Sequence, residues 1–137
     1  ALYWLGRHPA VRDRLLAELD PLGDAPDPDA VARLPYLDAV LNETFRLFPA
    51  VPEVIRMIAR PMDLHGFTIP VGVNVVACTA AVHTREDLYP DPDEFRPGRF
   101  LDRSFGPFEF FPFGGGDRKC PGASFAEYET KVVLATV

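Results

Sequence analysis

Cysteine is scarce in this sequence: Cys78 and Cys120 are the only two in 137 residues. A pair so far apart is no disulfide framework of the kind that staples small secreted domains, so a reducing compartment is expected. Histidine is nearly as sparse, and His8, His65 and His83 lack the spacing that gathers zinc ligands. No run of lysine or arginine is present, and the formal net charge is -6, which argues against nucleic acid as a partner. No apolar stretch is long enough to cross a bilayer. Internal repeats and low-complexity segments are absent too.

Hydrophobic residues make up 47% of the chain, which suits an ordinary globular domain or a piece of one. The opening "ALYWLG" and the closing "KVVLATV" resemble helices cut through, with neither an initiating methionine nor a cap, so a fragment is expected. From His8, "HPAVRDRLLAELD" places Val11, Leu15 and Leu19 on one stripe with Pro9 at the first helical position. The proline- and aspartate-rich "DPLGDAPDPD" is a loop, with a short helical turn expected over Ala30 to Leu34.

A second helix starts at Pro35, where Leu37, Val40, Leu41, Thr44, Phe45 and Phe48 build a wide apolar face until Pro49 and Pro52 stop it. The runs "VIRMIA", "FTIP" and "NVVAC" are short strands, with Cys78 in the last of them expected as a small core residue. Between Arg85 and Phe113, prolines among aromatics and charges describe a packed meander without regular structure. After Pro121, Phe125, Tyr128, Val132 and Val133 restore a helical stripe. The fold class is mainly α with a small antiparallel β-sheet.

The chemistry concentrates in "FPFGGGDRKCPG", Phe111 to Gly122. Pro121 at the first helical position would make Cys120 the helix N-cap, where unpaired amides, the helix dipole, Arg118 and Lys119 favour a thiolate. Gly114, Gly115, Gly116 and Gly122 remove side chains around it, so bare backbone can lie against something flat or bulky. A thiolate, bare backbone and a cation two residues away fit heme, with the sulfur on iron and Arg118 on a propionate. The residues alone leave a reactive thiol open, although no second cysteine and no base accompany it.

Phe113, Gly116, Arg118, Cys120 and Gly122 resemble the heme-binding signature of the cytochrome P450 family, the heme-thiolate monooxygenases. Glu43 and Arg46 in "LNETFRLFP" resemble the family's Glu-x-x-Arg. Pro97, Gly98, Arg99 and Phe100 resemble its Pro-Glu-Arg-Phe, with Gly98 in place of the glutamate. The resemblance implies a structural triad of Glu43, Arg46 and Arg99 that serves folding and heme retention. It also implies that Arg56 contacts the second propionate and that Ala50, Val51 and Val54 border a lipophilic substrate. His83 is implied to be structural.

Residues 1–137 would then be a partial P450 domain, from the end of the central helix through the heme loop and the helix after it. Its cofactor would be heme b, and the parent enzyme would insert one oxygen atom of O2 into its substrate. Electrons would come from a ferredoxin or flavoprotein reductase docking near Arg118, Lys119 and Arg103. The resemblance suggests a soluble, cytoplasmic enzyme of bacterial type, without excluding an anchor. A heme-dependent isomerase or dehydratase, or an inactive fragment without heme, are the alternatives.

Overall fold

Proline starts three of the helices, where its missing N–H needs no partner. The computed structural model describes residues 1–137. Helix α1 (Leu2–Arg7) meets α2 (Pro9–Leu19) at His8, and a single 3₁₀ turn over Asp20–Leu22 follows. Helix α3 (Pro28–Ala32) begins two residues earlier than the sequence suggests. The cause is Asp27, whose side chain accepts the Asp29 N–H at 3.1 Å and caps it.

Helix α4 (Pro35–Leu47) is the centre of the chain, with Leu37, Val40 and Leu41 fully buried. Leu34 stands at its N-cap position and offers no acceptor. The first free amides are bound instead by Glu18 from α2, which accepts from Tyr36 N at 2.9 Å and Leu37 N at 2.8 Å. Replacing Glu18 with alanine is expected to lower stability by about 1–2 kcal/mol, the loss of a capping carboxylate. The check is a urea midpoint that falls with an unchanged slope; an unmoved midpoint would refute the cap.

Strand β1 (Glu53–Met57) leaves the end of α4; β2 (Met62–Leu64), β3 (Phe67–Ile69) and β4 (Asn74–Cys78) follow. The strands form two separate antiparallel sheets of two strands each, not one. β1 pairs with β4, Arg56 opposite Val75, and β2 pairs with β3. The β2–β3 hairpin turns on His65 and Gly66, both at positive φ (50° and 84°), as a two-residue turn demands. β2 is missing from the sequence reading because three exposed residues carry no periodicity. Cys78 is half-buried, not a core residue, since it ends an exposed strand.

Helix α5 (Thr79–His83) continues from β4, and α6 (Arg99–Asp102) is one turn inside the meander. Helix α7 (Ala123–Thr136) packs on α3 and α4, pinned by Lys131, whose Nζ lies 2.6 Å from Asp38 Oδ1 and 3.2 Å from Ala32 O. Most of its expected stripe faces outward: Phe125, Tyr128 and Val133 are exposed and Val132 is half-buried, while Leu134 and Ala135 touch the core. A helical period fixes which residues share a face, not which face is covered.

The main core joins Leu5, Leu15, Val31, Tyr36, Leu37 and Val40 to Phe95 of the meander. Trp4 stacks on Phe95 at 5.1 Å. No helix is long and apolar enough to cross a membrane.

Candidate functional site

Glu43 projects from α4 into a fully buried position, where four N–H groups meet its carboxylate. Arg46, one turn on, donates from Nε to Oε2 at 2.7 Å and from Nη2 to Oε1 at 2.9 Å. Arg99 of α6 donates to Oε1 at 3.0 Å, and the Arg96 backbone N–H donates to the same oxygen at 2.8 Å. Both guanidinium groups also donate to backbone carbonyls, among them those of His83, Pro90 and Glu94. The cluster leaves no buried polar side-chain atom without a partner, the condition under which buried charge is tolerated.

His83, at the end of α5, touches the same helix. Its Nδ1 lies 3.3 Å from Arg46 O, and its Nε2 accepts the Phe111 N–H at 3.1 Å. Burial lowers its pKa from 6.5 to about 4; the Arg46 carbonyl opposes that shift and the Arg46 charge adds to it. A histidine held neutral in the fold stabilises it fully above pH 6.5, and that stability is lost as pH falls towards 4. The loss amounts to roughly 3 kcal/mol. Unfolding midpoints at pH 7 and pH 4.5 should therefore diverge less in His83→Gln than in the unmodified protein; equal divergence would show that another group is responsible.

Beyond Phe111 the backbone forms a tight loop. Phe113 O accepts the Cys120 N–H at 2.9 Å and closes it. Gly114 and Gly116 adopt φ of 78° and 63°, the left-handed region that side chains avoid. Phe45 of α4 meets Phe113 edge-on at 5.2 Å and seats the loop on the helix. Cys120 is exposed, with Lys119 beside it.

Cys120 is not the helix N-cap. Gly122 takes that place, with φ -88° and ψ 6°. Pro121 stands in a turn in which Cys120 O accepts the Ala123 N–H at 3.3 Å. The cysteine therefore precedes the helix by one tight turn.

Arg56 and Arg118, 62 positions apart, line one cavity of about 270 Å³ with Val54, Phe111, Gly114, Gly115 and Asp117. Val54 and Arg56 share a strand face by the two-residue period. Arg56 donates only to the neighbouring Ile55 O at 2.9 Å, and Arg118 has no ion-pair partner. Two cations without ion-pair partners beside bare glycine backbone can take an anionic ligand, with the Asp117 carboxylate as the one opposing charge in the lining. No three His, Cys, Asp or Glu side chains converge anywhere. A metal held by Cys120 would take that one sulfur from the chain and its other ligands from elsewhere, as a porphyrin supplies them.

The family profile described as "Cytochrome P450" matches residues 1–137. The chain belongs to the cytochrome P450 family. It is 37% identical over 142 residues to "Cytochrome P450 3A28" of Bos taurus, covering 99% of this chain and 28% of that protein. Its identity to cytochrome P450 135B1 of Mycobacterium tuberculosis is 40% over 137 residues, again with 28% of the relative covered. The solved structure "Retinoic acid bound cyanobacterial CYP120A1" superposes with a TM-score of 0.86 at 37% identity, covering 98% of this chain and 32% of that one. The chain thus spans less than a third of these relatives' length.

Of the residues expected from the P450 motifs, Glu43, Arg46 and Arg99 stand together in the buried cluster. Arg56, Val54, Gly114 and Arg118 border the cavity; Ala50 and Val51 are exposed and do not. Arg103 is not a free docking cation, because its guanidinium is held 2.9 Å from Glu109 Oε2. Three participants escaped the sequence reading: the Arg96 amide, the Phe45–Phe113 contact and the two-sided role of His83. Only Phe45 carried a signal, its place on the apolar face of α4.

Proposed function

We propose that this chain is the C-terminal part of a heme-thiolate monooxygenase, in which Cys120 is the axial ligand of heme b. The observation that carries the reading is one cavity lined by Arg56, Arg118, Gly114 and Gly115, the last three from the loop that also carries the exposed Cys120. Heme b, when bound, supplies activation of O2 at iron, with the thiolate's electron donation favouring O–O cleavage.

The chain's own residues hold and orient that group. Arg56 and Arg118 would bind its propionates by charge-assisted hydrogen bonds. The backbone of Gly114 to Gly116 and the Phe113 ring would lie against the sulfur side and keep water from it. Glu43, Arg46 and Arg99 hold the meander against α4 and act on no substrate.

The substrate is lipophilic on this reading, in keeping with the apolar Val54 beside the cavity and with the retinoic acid carried by the similar cyanobacterial protein. An electron donor, a ferredoxin or flavoprotein reductase, would meet Arg118 and Lys119 near the sulfur. Two free cysteines are in keeping with a cytoplasmic setting. The test is the carbon monoxide difference spectrum of the reduced full-length protein. A strongly red-shifted Soret band is expected, and heme binding without that band would refute the thiolate assignment.

A further inference from the structure

His83 is buried and engages both ring nitrogens. The Phe111 N–H points at Nε2, so Nε2 carries the lone pair and Nδ1 carries the hydrogen that faces Arg46 O. One neutral tautomer satisfies both partners. The ring also stacks on Phe110 at 5.3 Å and meets Phe111 edge-on at 5.4 Å.

From Phe111 the linkage continues along the backbone. Phe111 O accepts the Gly114 N–H at 2.9 Å, and Phe113 O accepts the Cys120 N–H at 2.9 Å. On its other side the imidazole reaches α4 at Arg46, the residue whose guanidinium holds Glu43. The buried charge cluster and the cysteine loop are therefore joined through one side chain, at a distance of two hydrogen bonds.

We propose that His83 is a positioning residue for Cys120: Nδ1–H holds α4, Nε2 holds the Phe111 amide, and together they set where the cysteine loop stands relative to the helix. The hydrogen-bonded clamp is independent of what the sulfur binds; its effect on a heme signature rests on the function proposed above.

Asparagine and glutamine separate the two contacts. An asparagine amide reaches the place of Nδ1, and a glutamine amide reaches the place of Nε2, so only His83→Gln can still accept the Phe111 N–H. Hydrogen exchange measured by mass spectrometry on the full-length protein is expected to rise about tenfold at Phe111 in His83→Leu and His83→Asn, the equivalent of one lost hydrogen bond, and to stay protected in His83→Gln. The fraction of the reduced carbon monoxide complex that shows the thiolate band should follow the same order. Unchanged exchange in His83→Leu, or equal loss in the asparagine and glutamine variants, would overturn the proposal. Should the unmodified protein lack the thiolate band while exchange follows the expected order, the clamp holds and the heme-thiolate reading falls.

Discussion

Glu43→Ala is expected to leave almost no folded protein. The substitution removes the only carboxylate between two buried guanidinium groups and leaves the Arg96 N–H without its acceptor. Breaking a buried ion pair by deleting one partner costs about 3–5 kcal/mol, because the surviving charge stays out of water. Here two such charges survive, against a total stability that for most domains is about 5–15 kcal/mol. Soluble yield, thermal unfolding and heme content of the full-length protein should fall together.

Glu43→Gln should be milder. It keeps the shape and one acceptor but loses the bidentate grip of Arg46 and the charge balance. An alanine variant that unfolds within about 1 kcal/mol of the parent would show that the cluster contributes little.

Cys120→Ser in the full-length protein should do the opposite: the fold remains and the chemistry disappears. The cysteine is exposed, and its backbone bonds to Phe113 and Ala123 do not depend on the side chain. Serine offers a hydroxyl where iron would need a thiolate, so the red-shifted carbon monoxide band and oxygen insertion should both be lost. A serine variant that keeps the band would sink the ligand assignment. One that loses the fold as well would show that the loop depends on the sulfur in a way its exposure does not reveal. Set side by side, the two substitutions separate what builds the molecule from what it does.

Helices α2 and α4 were legible in the sequence because their apolar residues recur at three and four and a proline opens each. The cysteine loop and the triad were legible through motif spacing, which names residues without giving their geometry. Short elements were not. β2, α5 and α6 are three to five residues long and arise from tertiary contacts, not from local periodicity. The position of Cys120 relative to α7 was misread because a proline can stand just before a helix as readily as inside its first turn. The stripe on α7 was legible, but pattern alone does not say what a stripe meets. His83 was recognised as structural, but its two partners come from segments 37 residues upstream and 28 downstream, a relation that no local pattern encodes.

The spread of donors around Glu43 also bears on how the chain acquires its structure. Arg46 lies one helical turn away, but the Arg96 amide and the Arg99 guanidinium are 53 and 56 residues further along. During synthesis, α4 emerges long before the segment that completes the coordination of its carboxylate. Until then water must serve the exposed oxygen, and α4 cannot settle into its final surroundings without stranding a charge. Closure over so long a stretch belongs to the slow class of folding events, and it leaves the apolar face of α4 open to wrong partners in the meantime. The arrangement makes Arg99 a checkpoint: only a chain made at least that far can bury α4.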